Sequence, residues 1–135
     1  MYKKILVPVS FDDDRNIEGA LKVARALSEA GTMVVLLHVM ETPPPYAVNY
    51  IPEGFHEEAR FAILKSLSEF AADLPSARAE VIEGHSGRAI LDWAGDNGVD
   101  CIVIASHRPG MQDIFLGSTA ARVVRHAKCA VHVLR

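Results

Sequence analysis

Five short apolar runs recur along this chain, at Lys3–Val9, Met33–Val39, Ala79–Glu83, Cys101–Ala105 and Ala130–Leu134. The first, Lys3-Lys4-Ile5-Leu6-Val7-Pro8-Val9, shows no clean apolar/polar alternation, which suits a strand covered on both faces. Between the runs, apolar residues fall at helical spacing. Ile17, Ala20, Leu21, Ala24 and Leu27 form one such set, and Ala59, Ile63, Leu67, Phe70 and Leu74 a second. Ala89, Ile90, Trp93 and Ala94 form the third, and Ala121, Val124 and Arg125 mark the turns of the fourth, over Ser118–Ala127. The chain therefore reads β-α-β-α-β-α-β-α-β. That order implies a parallel sheet with right-handed crossovers. Two doubly wound strand orders satisfy it, 3-2-1-4-5 and 2-1-3-4-5, and both place a ligand at the C-terminal ends of the strands.

The punctuation is consistent with these elements. Pro8 has no N–H for a ladder, so it belongs at the C-terminal end of its strand. Asp12, Asp13 and Asp14 are suited to cap and open the first helix, and Gly31 to follow its end. Three prolines, Pro43 to Pro45, exclude regular structure from the start of a long loop that reaches Gly54. That loop reads either as a flap over a site or as a surface excursion. Pro75 ends the second helix, Ser86 is placed to cap the third and Gly98 to close it.

At 135 residues the chain has the length of one domain, and 50% apolar with 23% charged residues is ordinary for a globular protein. The formal net charge of −3 comes with no basic block, which argues against nucleic-acid binding. Cys101 and Cys129 lack metal-ligand spacing and read as reduced core residues. The apolar runs are too short for a membrane span or a signal sequence, so the expected location is the cytoplasm.

Chemistry concentrates between Ile104 and Thr119. An apolar strand stops at Ser106-His107-Arg108-Pro109-Gly110, and Gly117-Ser118 opens a helix. A strand, loop and helix N-terminus present free N–H groups and a positive dipole end to an anion. By itself this pattern is equally an ordinary βα connection. Other chemistries lack their signatures. The acidic run after the first strand resembles a receiver domain's, but the third strand ends Val81-Ile82-Glu83-Gly84 with no aspartate. No GxxxxGK[ST], no GxGxxG after the first strand and no GxSxG elbow is present. The six histidines show no shared ligand spacing, so neither a metal site nor a catalytic group is expected.

Several stretches together resemble the universal stress protein (UspA-type) family. They are Met1–Val9, Leu36-Leu37-His38-Val39, Ile104–Pro109, Leu116-Gly117-Ser118 and Val123–Arg135. The match runs the length of the chain, and the Ala-Ser-His-Arg-Pro loop is most similar to the small bacterial F-type and G-type members. The resemblance implies one 1–135 domain. Its fold would be a Rossmann-like (adenine nucleotide alpha hydrolase-like) three-layer α/β sandwich, a five-stranded parallel sheet in the order 3-2-1-4-5 with four helices. It implies a homodimer, or a tetramer of such dimers, paired through the fifth strand at Ala130, Val131, His132, Val133 and Leu134.

It also implies a regulatory ligand, ATP or AMP, with or without Mg2+, rather than a fast-turnover substrate. Carried over position by position, the adenine and ribose side is Pro8, Val9, Ser10 and Val39. The phosphate side is Ile104, Ala105, His107, Arg108, Gly117, Ser118 and Thr119. ATP-binding members carry Gly-x-x-Gly, nine residues, then Gly-Ser or Gly-Thr. Here Ala105 and Arg108 replace the two glycines, eight residues (Pro109–Leu116) precede Gly117, and Ser10 replaces an aspartate. Ala105 adds one Cβ near the pyrophosphate, and Arg108 either crowds it or offers it a bidentate guanidinium. These departures leave a second reading open, a dimerising, partner-docking module with a degenerate phosphate loop. A nucleotide-transferring enzyme of a related fold would need an HxGH or PP signature, and neither occurs.

Overall fold

The structure is a computed structural model that describes residues 1–11, 16–106 and 116–135. Five parallel strands form one sheet: β1 (Lys4–Pro8), β2 (Met33–Glu41), β3 (Ala77–Gly84), β4 (Cys101–Ala105) and β5 (Ala130–Leu134). Their order is β3-β2-β1-β4-β5, which decides between the two orders that periodicity left open. The helices are α1 (Ile17–Leu27), α2 (Phe55–Ala71), α3 (Ser86–Asp96) and α4 (Ser118–His126).

Strand side chains alternate between two apolar layers, as the two-residue period of a strand requires. Ile5, Val7, Val34, Leu36 and Val103 face Ala20 and Ala24 of α1 and Leu67 and Ala71 of α2. Leu6, Val35, Leu37, Ile102 and Ile104 face Ile90 and Ala94 of α3 and Ala120 and Val123 of α4. This is the three-layer sandwich that the resemblance implies. Both faces of β1 and β4 are buried, which is why those strands read as unbroken apolar runs. Each fully buried leucine or valine here contributes about 1.5–3 kcal/mol.

Pro8 is the last residue of β1, and the next residue still bonds the sheet, Val9 N donating to Leu37 O at 2.8 Å. The start of β1 is held by Asp100, whose carboxylate accepts from Lys3 N at 2.9 Å and Lys4 N at 3.1 Å. At the end of α3, Gly98 takes φ +67° and Val99 N reaches back to Ala94 O at 3.0 Å, as a left-handed helix stop requires.

Several local expectations are corrected. Asp12, Asp13 and Asp14 lie outside the described residues, and the cap of α1 is Asn16, whose Oδ1 accepts from Gly19 N at 2.8 Å. α1 stops before Gly31, because Ser28 turns extended and its hydroxyl bonds Ala24 O at 2.6 Å; Gly31, at φ +89°, serves the turn into β2. The loop after β2 contains a 3-10 helix at Pro45–Tyr50, since proline is tolerated in a first turn where no N–H is required. α2 ends at Ala71, short of Pro75, and Leu74 is buried beyond the helix end. Ser86 is the first helical residue of α3, not its cap; the cap position belongs to His85, and the Ser86 hydroxyl is used elsewhere. α4 buries Ala120 and Val123, one residue before the expected Ala121 and Val124, and Val124 is exposed.

Candidate functional site

β1 lies between β2 and β4, so the chain winds one way through β2 and β3 and the other way through β4 and β5. Crossovers therefore diverge on either side of the β1–β4 boundary, and a crevice opens above the strand ends there. It is a cleft of about 500 Å³, within the range of small-molecule sites. Its floor comes from the ends of three strands: Pro8 and Val9 after Val7, Val39 after Leu37, and Ile104 with Ala105. Its walls are the N-terminal turns of α1, α3 and α4.

Of the residues expected at a site, Pro8, Val9, Ser10, Val39, Ile104, Ala105, Ser118 and Thr119 line this one cleft. They come from positions as far apart in sequence as Pro8 and Thr119, and the parallel sheet brings them together. Gly117 is the cap residue of α4, beside the lining residues Ser118 and Thr119. His107 and Arg108 lie outside the described residues.

The path from β4 to α4 is closed at its base. Ser106 N donates to Leu134 O at 2.7 Å, and Ser106 O accepts from Gly117 N at 2.7 Å. The connection thus leaves and returns at one point, and α4 starts beside the end of β4. The first turn of α4 has no acidic residue and no capping side chain. Its backbone N–H groups and positive dipole end thus face the cleft with no acidic residue of the helix's own first turn beside them. Arg125 and His126 occupy its last turn, where cations suit the opposite pole.

Sequence reasoning missed four lining residues with polar side chains: Asn16, His38, Glu41 and Ser86. His38 Nδ1 lies 2.8 Å from Val9 O, and because a carbonyl can only accept, Nδ1 carries the proton. Phe11 packs beside it, ring centroids 5.1 Å apart. Ser86 Oγ donates to Glu41 Oε1 at 2.8 Å, tying the end of β2 to the start of α3. Neither contact has a local signature, since His38 and Val9 meet only through the β1–β2 register, and Glu41 and Ser86 only through the crossover from β3.

The cysteines sit away from this cleft's lining. Burial pushes the Cys101 thiol up to about 11, helped by the proximity of Cys129 and of Asp100. Cys129 is also raised, by burial first and then by Asp100. Both thiols therefore stay protonated near neutrality; Cys101 is the core residue expected, whereas Cys129 is only half-buried, just before the start of β5. Among the described residues, no group of three or more His, Cys, Asp or Glu side chains is arranged to hold a metal ion. No helix among them is long and apolar enough to cross a membrane.

Comparison with known proteins matches this architecture to one family. Universal stress protein G of Shigella flexneri is 28% identical over 142 residues, covering 100% of both chains. Universal stress protein A homolog 2 of Coxiella burnetii is 31% identical, over 99% of this chain and 95% of its own. Among solved structures, universal stress protein UspA from Lactobacillus plantarum superposes with a TM-score of 0.76 at 26% identity, covering 99% of this chain and 98% of that one. The fold is also that of the universal stress protein from Archaeoglobus fulgidus in complex with dAMP, at a TM-score of 0.70 and 20% identity over 99% and 98% of the two chains. The model of the universal stress protein family matches residues 1–135, and the chain belongs to that family.

Proposed function

We propose that this protein is a cytoplasmic universal stress protein that binds an adenine nucleotide, ATP or AMP, in the cleft above β1 and β4. The nucleotide acts there as a regulatory ligand in the stress response. The observation that carries the reading is the first turn of α4, which opens onto an apolar-floored cleft of about 500 Å³ with no acidic residue of its own. A phosphate at Gly117, Ser118 and Thr119 would meet backbone donors and a favourable dipole. Pro8, Val9 and Val39 offer an apolar slot to a flat base, and Ser10 and Ala105 edge it. A relative of the same fold in complex with dAMP supports an adenine nucleotide as the ligand class. Mg2+ would arrive with the phosphates of ATP. No residue here is assigned a catalytic role.

Calorimetry with ATP, ADP and AMP at millimolar concentration, with and without Mg2+, tests this. Measurable heat is expected; none with any of the three refutes it. Ser118→Asp separates binding from folding. An acid in the first turn stabilises a helix by about 0.3–1 kcal/mol, yet it repels phosphate. The variant should melt no lower than the wild type and bind AMP at least about tenfold more weakly, a difference of about 1.4 kcal/mol.

The homodimer proposed with this function pairs β5 with its copy in a second chain. β5 is an edge of the sheet among the described residues. Leu134 O faces β4, accepting from Ser106 N, so the preceding Val133 turns its N–H outward. Sedimentation should give a dimer for the wild type and a monomer for Val133→Pro; a monomeric wild type sinks the proposal.

A further inference from the structure

We infer that Glu41 is a specificity-determining residue of this cleft: its carboxylate sets the direction in which a nucleotide lies and rejects ligands that carry an anionic group at both ends. The inference rests on the nucleotide reading above and deepens it.

Three helix N-termini open on this cleft; α1 carries Glu18 in its own first turn, whereas the other two, those of α3 and α4, would each alone attract a phosphate. They are not equivalent. Neither has an acidic residue in its first turn. At α3, however, the missing charge is supplied from another element. Glu41, the last residue of β2, accepts from the hydroxyl of Ser86, the first residue of α3, at 2.8 Å. Its backbone register partner is Gly84, two residues before Ser86, so the sheet itself delivers the carboxylate to that helix end. The positive pole of α3 is thereby neutralised, and a net negative group stands on the cleft wall. The first turn of α4 has no such partner among the described residues.

Among the described residues the cleft is therefore polarised, negative at the β2–α3 end and positive at α4. A molecule with a phosphate at one end and neutral hydrogen-bond donors at the other matches both poles. A 5′-nucleotide is such a molecule: its phosphate goes to α4, and its sugar hydroxyls or ring amine go toward Glu41, whose Oε2 can accept. A nucleotide with a second phosphate on the sugar brings like charge to the carboxylate. The discrimination expected is about tenfold, the scale of one like-charge contact in partly screened surroundings.

Calorimetry at low salt with AMP and adenosine 3′,5′-bisphosphate, on the wild type and on Glu41→Gln, tests this. Glutamine keeps an oxygen for Ser86 while removing the charge. The wild type should bind AMP at least tenfold more tightly than the bisphosphate, and Glu41→Gln should bring the two within about threefold, mainly by tightening the bisphosphate. An unchanged ratio in Glu41→Gln overturns the inference and leaves Glu41 as a partner of α3 alone. Equal binding of both ligands by the wild type also overturns it, with the nucleotide reading intact. A wild type that binds neither overturns both.

Discussion

Ser106 offers a stability test with an unusual sign. Its side chain is fully buried at the end of β4, and its Oγ has no hydrogen-bond partner among the described residues. Burying a hydroxyl without a partner costs roughly 1–3 kcal/mol in proteins. Ser106→Ala removes that cost. It leaves both backbone bonds of the residue in place, to Leu134 O and from Gly117 N, so the closure between β4 and α4 persists. Deleting one oxygen opens only a small void, which returns a few tenths of a kcal/mol. The net expectation is a gain of about 1 kcal/mol, in a chain whose total stability is on the order of 5–15 kcal/mol. Urea unfolding followed by circular dichroism reads it directly. With a slope of about 2 kcal/mol/M the midpoint should rise by about 0.5 M at unchanged slope. The melting temperature should rise by about 4 °C. A midpoint lowered by the equivalent of about 1 kcal/mol or more would mean that the hydroxyl is bonded in solution, which refutes the predicted gain.

Three other perturbations have definite directions. Asp100→Ala strips two backbone N–H groups at the start of β1 of their acceptor and should cost about 1–2 kcal/mol; Asp100→Asn, which keeps one acceptor oxygen, should cost about half, and an unchanged urea midpoint in both would show the contact to be idle. A Cβ at Gly87 would stand 2.8 Å from Arg122 Cδ and 3.2 Å from its Cβ, so Gly87→Ala should push α3 from α4, lower stability by about 1–2 kcal/mol and weaken AMP binding, read by melting and calorimetry together. Cys101 keeps its proton to about pH 11 in the folded chain and releases it at a lower pH when unfolded, so the folded state binds more protons between those values. Its contribution is therefore fully present below the unfolded value and is lost as pH rises toward 11; stability measured in Cys101→Ala should lack that part of the alkaline decline.

Much of the fold was legible locally. A buried strand declares itself by a run such as Ile5-Leu6-Val7, and a helix by Ile17, Ala20 and Ala24, because each pattern depends only on neighbours within a turn or a pleat. The anion-friendly start of α4 at Gly117-Ser118 was visible for the same reason. Boundaries were less so. Asn16 took the cap expected of Asp12 to Asp14, and Ala120 rather than Ala121 faced the sheet, because one residue of rotation is decided by packing against Ile104 and its neighbours. The candidate site divides the same way. Pro8, Val39, Ile104 and Ser118 follow from the strand ends and the family resemblance, whereas His38 reads as an ordinary strand residue and Glu41, which ends β2, reads as the start of the irregular proline segment.

By itself, then, the sequence determined the alternation of strands and helices, the burial of β1 and β4, and a helix start suited to an anion. Its family resemblance also supplied the strand order and most of the cleft's expected residues. Only the tertiary structure set the register of β1 against β4, with Ile5 opposite Cys101, and gave the cleft at that boundary its lining. Only it set Glu41 against Ser86. The reason is range: periodicity reports what a residue shares with its neighbours a few positions away, while the charge on each wall of the cleft depends on which strand end the sheet's register carries to which helix.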